Sequence, residues 1–439
     1  MTRPRLRIAW FSDLGKLNPG SVAAYTTTLI VPLVSREHDI ELFSDSFSSS
    51  SELGLPHFHY LTAYQRHAKV PYDLFVYQLE DGPHSRFSRG HIGLVPGVVW
   101  IHDLFCRDLG PEACHTSPWE HSIKQYYDSQ LPFSDRAIAP HQLWPRLYRE
   151  TSLCPVTLFS SEWASAEFGR MISNRLESYE GGHVTEVLRI PVSSPATQSQ
   201  VAESRCFTVA SASGVGIEGR SHKWLATLRS FGEPWKLLWM VDEREREGAE
   251  SLLREFGIPH QSVELHVGRS PQVWSSLVQR SDCALHLHTS AFGGIAPYAQ
   301  ISMSHARPVI VAPSAQGEDI PECAALHVVP GIHEMAHLAE VLKLIRADTA
   351  RRLGEVGADY VRDFHSPERI ARQLSDNLVQ WAPYVSYVMA KWDSLRGRAG
   401  RELLCEVQQL VDTQDVSDIS GFEHVIKPAV TELGWLTEK

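Results

Sequence analysis

The sequence is short of long apolar runs. None of its 439 residues falls in an apolar stretch of about 18 or more, so no segment reads as a membrane-spanning helix. Its first residues are basic, but they pass straight into a β-like run without the apolar core and small-residue cleavage site of a signal peptide. Paired cysteines are also missing. The seven cysteines, Cys106, Cys114, Cys154, Cys206, Cys283, Cys323 and Cys405, are odd in number and show no C-x-x-C spacing. That excludes a zinc ribbon or a dithiol redox motif and reads as a reducing compartment, so a cytoplasmic location is expected. Positive charge is not in excess: 41 Lys and Arg against 52 Asp and Glu give a net charge of −11. The overall balance therefore offers no pull toward nucleic acid or an acidic bilayer. No unit of about 20 to 50 residues repeats, which argues against a solenoid or propeller. The one low-complexity stretch, SDSFSSSS at 44–51, reads as a solvated loop.

What is present is the composition of a folded globular chain, 43% apolar and 21% charged. At roughly 150 residues per domain this length suggests two large domains. Short runs rich in Val, Ile, Leu and Phe alternate with helix-like stretches, the pattern of buried parallel strands joined by crossover helices. Strands are expected at 6–11, 39–44, 73–78, 97–102, 155–160 and 185–190, and then at 206–211, 236–241, 262–267, 283–288 and 308–312. The polar stretch SSPATQSQVAES at 193–204 lies between the two sets and reads as a linker. The expected division is 1–195 and 196–375, each Rossmann-like, followed by helices over 376–439. Those last helices are expected to return to the first domain, because Trp381, Tyr384, Tyr387, Val388 and Trp392 need burial.

Several strand ends carry polar groups, where open α/β sheets bind ligands. After the first strand, Gly20 and Ser21 stand at a Pro-Gly turn before a helix, whose amides can hold an anion or simply connect two elements. The next candidates are His84, in the turn after YDLFVYQLEDGPH, and the pair His102 and Asp103, ending PGVVWIHD. A lone histidine is ordinarily structural, and two at neighbouring strand ends strengthen the functional reading. In the second half, GVGIEGRSHK places three glycines with Arg220 and Lys223 at a helix start, a cradle for a diphosphate or a basic surface loop. A later strand ends in His288 and Thr289, followed by a glycine turn with Phe292, Gly293, Gly294, Ile295 and Ala296.

Over residues 5 to 375 these stretches resemble the GT4-type glycosyltransferases, and the run from Pro96 to Asp103 is the most specific local match. The resemblance implies the GT-B architecture: two Rossmann-like domains facing across a cleft, with C-terminal helices. It implies transfer of a sugar from a nucleotide-sugar to an acceptor hydroxyl, with retention, in glycan or glycoconjugate biosynthesis, and without a metal or other cofactor. By the same resemblance Arg220 and Lys223 neutralise the donor diphosphate, although they sit closer together than the family's usual cation pair. The 292–296 backbone and His288 and Thr289 complete the donor site, while His102 and Asp103 act on sugar or acceptor. Gly20, Ser21 and His84 are expected on the acceptor side or in loops of the first domain. One departure is clear: the family carries two glutamates eight positions apart around the late loop, and no Asp or Glu occurs between Asp282 and Glu318. The expected positions hold Ser290 and Tyr298, or Gly293 and Ile301, with Gln300 the nearest polar substitute. That absence motivates the alternative of a catalytically silent GT-B module that binds a partner enzyme or a glycan.

Overall fold

The computed structural model describes residues 4–14, 21–45, 53–104, 147–172, 183–193, 195, 206–216, 219–288, 297–313, 315–345 and 349–413. Within them the chain forms two separate, wholly parallel sheets. The first contains β1 (Arg7–Phe11), β2 (Asp39–Ser44), β3 (His57–His59), β4 (Leu74–Leu79), β5 (Val98–Ile101), β6 (Val156–Phe159) and β7 (Val184–Val187), in the order β3-β2-β1-β4-β5-β6-β7. The second contains β8 (Phe207–Ser211), β9 (Trp235–Val241), β10 (Val263–Val267), β11 (Cys283–His286), β12 (Val309–Val311) and β13 (Leu326–His327), in the order β10-β9-β8-β11-β12-β13. In both, the chain reverses its direction of travel across the sheet beside the first strand of the set, between β1 and β4 and again between β8 and β11. That reversal opens a crevice at the carboxyl edge of each sheet.

The central strands form where apolar residues run without alternation, because both faces of the sheet are covered there. All six residues of β4 are buried, as are all four of β5 and of β6. Every expected strand is present to within a few residues. The two not expected, β3 and β13, have three and two residues, too few for a period to show.

Twelve α-helices are described: α1 (Val22–Val34), α2 (Ala63–Lys69), α3 (Arg86–Ile92), α4 (Tyr148–Leu153), α5 (Glu162–Ile172), α6 (Ser221–Ser230), α7 (Arg246–Glu255), α8 (Pro271–Gln279), α9 (Tyr298–Ser304), α10 (Glu334–Ile345), α11 (Thr349–His365) and α12 (Pro367–Thr413). The second sheet is covered by separate apolar clusters, one including Trp224 and Trp239, the other Trp274 and Met240. Although α12 follows the second sheet in the chain, its apolar face belongs to the first core: Leu374, Leu378, Trp381, Val385 and Met389 pack there. Polar contacts fix its position against the start of the chain, with Ser375 Oγ donating to Glu37 (2.7 Å) and meeting His38 Nε2 (2.8 Å). Tyr387 does not join this core and is 57% exposed, because it lies on the opposite face of α12, while Trp392 lies outside the described side chains.

The chain passes between the two sheets twice, and the two passages are bonded to each other. The Val192 N–H donates to the His365 carbonyl (2.7 Å), and His365 Nδ1 donates to the Ile190 carbonyl (2.8 Å). Beside them Asp319, which follows β12, accepts the first amides of α5, from Glu162 (2.8 Å) and Trp163 (2.9 Å). A carboxylate from one half thus caps a helix of the other, and the carboxyl edges of β6 and β12 meet at this point.

Candidate active site

The carboxyl edge of the first sheet holds a buried polar network. His102, one residue beyond β5, is fully buried, with Nδ1 2.8 Å from Ser160 Oγ and Nε2 2.8 Å from the Gln78 side chain. With the Gln78 amide nitrogen donating to His102 and to the Ala23 carbonyl (3.1 Å), its oxygen accepts from Trp10 (3.0 Å) and Thr27 (2.8 Å). Trp100 Nε1 adds a donor to Ser160 at 2.9 Å. Burial drives the His102 pKa down to about 3, so the ring is neutral at any ordinary pH. Both ring nitrogens are thus bonded, to Ser160 just beyond β6 and to Gln78 of β4, and the Trp100 ring lies 5.3 Å from the imidazole.

The start of α1 is likewise occupied. Ser21 caps the helix, its Oγ accepting the Ala24 N–H at 3.0 Å. The next two amides, Val22 and Ala23, donate to Glu80 Oε2 at 2.8 and 3.1 Å. An internal carboxylate thus sits where the sequence left room for a ligand anion, and Gly20 lies outside the described residues. Burial, helped by the charges of Asp103 and Asp13, pushes the Glu80 pKa up to about 8. Hydrogen bonds from Ser21 and the Ala23 amide pull the other way and are outweighed. Asp103 is half-buried and accepts the Asp81 N–H at 2.6 Å, and His84 is half-buried in the short turn after β4.

In the second half the loop after β8 turns tightly into α6. A Cβ on Gly219 would lie 1.7 Å from the Gly214 carbonyl oxygen, so only glycine permits this approach. Ser221 Oγ accepts the Gly216 N–H at 3.0 Å, and Glu245 accepts that of Val215 at 3.0 Å. Arg220, in the left-handed region at φ 52°, stands at the N-cap of α6. Its guanidinium and the Lys223 ammonium converge on one carboxylate, Glu334, the first residue of α10. Arg220 bonds it with two nitrogens, and Lys223 Nζ lies 2.7 Å from Glu334 Oε2 and 3.1 Å from the Gly331 carbonyl. The Glu334 side chain is 1% exposed, that of Arg220 13% and that of Lys223 41%. Burial pushes the Glu334 pKa up, but the Arg220 and Lys223 hydrogen bonds outweigh it and hold the carboxyl below its ordinary value.

Glu334 was not singled out from sequence. Its one signal is that it opens a helical stretch just after a glycine. His288 is exposed beyond the end of β11, while Thr289, Phe292, Gly293, Gly294, Ile295 and Ala296 lie outside the described residues. Tyr298 and Ile301 are buried among apolar neighbours, and Gln300 is 8% exposed. Among the described residues no group of three His, Cys, Asp or Glu could hold a metal ion, and no helix is long and apolar enough to cross a membrane.

Two outcomes follow from the first edge. Replacing His102 with Ala removes a ring and strands Gln78 and Ser160, so it should cost about 2 to 5 kcal/mol of stability. Urea unfolding measures this, and an unchanged midpoint would contradict the buried placement. Glu80 has a folded pKa above its unfolded value, so between about pH 4.5 and 8 the native state keeps a proton that the unfolded chain has lost. Stability should fall as pH rises through that window and level off above it. Unfolding midpoints taken across the window should show this slope in the wild type and a reduced one in Glu80→Gln.

No family model matches the chain. No curated protein matches it by sequence. Solved structures do match. A sucrose-phosphate synthase from Thermosynechococcus elongatus aligns over 86% of this chain and 99% of its own, at 15% identity and a TM-score of 0.61. HepE from Anabaena, solved in complex with UDP-glucose, aligns over 86% and 100%, at 13% identity and a TM-score of 0.59. A glycosyltransferase from Rickettsia africae aligns over 86% and 98%, at 12% identity and a TM-score of 0.59. At these identities the likeness concerns the fold, and the fold of this chain is the GT-B architecture, two parallel α/β domains with C-terminal helices.

Proposed function

We propose that the chain is a GT4-like glycosyltransferase that moves a sugar from a nucleotide-sugar to an acceptor hydroxyl, with retention and without a metal. The observation that carries this reading is the convergence of Arg220 and Lys223 at the tight glycine turn into α6, on the crevice edge of the second sheet. It is supported by fold neighbours whose structures include HepE bound to UDP-glucose and to UDP. On this reading residues 196–375 bind the donor, residues 1–195 face the acceptor, and 376–439 return to the first domain. The enzyme works in the cytoplasm on glycan or glycoconjugate biosynthesis, with the nucleotide-sugar as substrate and no resident cofactor.

The chemistry asked of the protein is mainly electrostatic. The acceptor hydroxyl attacks the anomeric carbon from the face the nucleotide leaves, and negative charge gathers on the departing diphosphate. Arg220 and Lys223 stabilise that charge, and a leaving phosphate oxygen takes the acceptor's proton. Asp103 and His84, half-buried at the opposite edge, contact sugar or acceptor. His102 acts through Gln78 and Ser160 and holds that edge in shape.

One observation favours the second reading, a catalytically silent module: Glu334 already bonds both cations, and the second of the family's glutamate positions falls on Tyr298 or, in the other alignment, on Ile301, both of them buried. A binding screen of UDP, GDP, dTDP and their sugars, followed by turnover assays on any binder, separates the two. Binding with turnover supports the enzyme, and no binding supports the silent module.

Lys223, the more accessible cation, should make a charge-assisted contact worth about 1.5 to 3 kcal/mol. Lys223→Ala should weaken the best nucleotide by roughly ten- to a hundredfold. Lys223→Arg should restore only part of it, since a flat guanidinium does not replace a compact ammonium. Calorimetry decides, and equal affinities would remove the donor site from this loop.

A further inference from the structure

The second sheet ends at β13, a strand of two residues, and beyond that edge the apolar clusters on its two faces meet at a pocket of about 400 Å³, open to solvent. Its wall is made by Leu326 of β13, Leu344 and Ile345 at the end of α10, and Leu353 and Val356 of α11. Leu326 and Ile345 pack in one cluster and Val356 against the other. A space of this size falls in the range of about 300 to 1,000 Å³ in which small ligands are held. The gap is built into the fold. At Gly354, next to Leu353, a Cβ would stand 2.1 Å from the Ala306 carbonyl oxygen, so α11 is already at its closest approach and cannot move in to fill the space. On the other side Leu344 leaves 56% of its surface in solvent.

The chemistry of an occupant follows from the two remaining residues that line the pocket, Cys323 and Arg352. Cys323 is an exposed free thiol. Arg352 is exposed, and among the described residues it has no hydrogen bond or ion pair. The cations beside it are committed within their own helices, Lys343 to Glu340 at 2.8 Å and Arg351 to Glu355 at 3.5 Å. None of the residues that line the pocket is acidic. An apolar wall with one uncommitted guanidinium complements an apolar chain that ends in a carboxylate, whose two oxygens match the guanidinium fork.

We infer that this pocket binds a free fatty acid, with its chain against Leu326, Ile345, Leu353 and Val356 and its carboxylate on Arg352. The pocket lies at the far end of α10 from Glu334, roughly 16 Å along the helix, and is therefore separate from the loop that carries Arg220 and Lys223. The inference makes no use of the sugar-transfer reading and stands without it.

Calorimetry of the full chain with hexanoate, octanoate, decanoate and dodecanoate, each below its micelle concentration, tests it. Every two added methylenes should tighten binding roughly tenfold until the pocket is filled. Decanol, the same chain without the charge, should bind about three- to tenfold more weakly than decanoate, and Arg352→Gln should bring decanoate down to the level of decanol. Leu344→Glu, at an exposed position, should weaken every chain. Bound decanoate should also slow the alkylation of Cys323, followed on its own peptide by mass spectrometry, while Cys206, which does not line the pocket, keeps its rate. No binding by any chain, affinity that ignores chain length, equal binding of decanoate and decanol, or affinities unchanged in both variants overturns the site. Binding that leaves Cys323 alkylation unchanged would put the chain elsewhere and overturn it too. Association with phosphatidylglycerol vesicles without any fatty-acid binding would make this face a membrane contact and likewise refute the inference.

Discussion

The start of α6 and the start of α10 are held together by a carboxylate buried between two cations. Glu334 opens α10 and bonds both Arg220 and Lys223, which stand at the other end of a glycine turn more than a hundred residues earlier in the chain. A buried carboxylate is costly unless it is paired and hydrogen-bonded, and here the pairing is strong enough to hold its pKa below the ordinary value despite burial. The same contact orients the cations. Arg220 is committed on one edge of its guanidinium, and the Lys223 side chain, 41% exposed, keeps access to solvent. On the proposed reading a donor diphosphate binds here by partial exchange of partners rather than by filling an empty site.

A second set of constraints joins the halves. Asp319 caps α5 across the domain boundary, while His365 and Val192 bond the two passages of the chain. The neighbouring Ser160 is also the partner of His102, so the buried network under the first sheet edge reaches the residues at the junction through one hydroxyl. Because α12 contributes to the first core after leaving the second domain, the domains are tied at both passages and by a shared helix.

Most of the fold was legible in the sequence because central parallel strands covered on both faces appear as unbroken apolar runs, and each of the eleven expected strands formed. The short edge strands β3 and β13 were not, since two or three residues carry no period. Site residues were harder. Arg220 and Lys223 were visible as cations at a glycine-rich helix start, but their partner Glu334 was not, because the contact spans 111 residues from Lys223 and leaves no local pattern. His102 was legible as the residue ending a strand, but its burial was not: sequence shows the end of a strand, not which way its last ring is enclosed. Glu80 was passed over within a polar turn, although it fills the α1 amides that Ser21 seemed to offer to a ligand.

The central claim is that a nucleotide-sugar binds on the second domain at the loop between β8 and α6. Amide hydrogen exchange of the full chain, with and without a saturating nucleotide-sugar, tests it most directly. The account predicts slower exchange over 213–225 and 329–336, with little change along β1 and β2. Protection confined to the first sheet, or none anywhere with the ligand demonstrably bound, would contradict it.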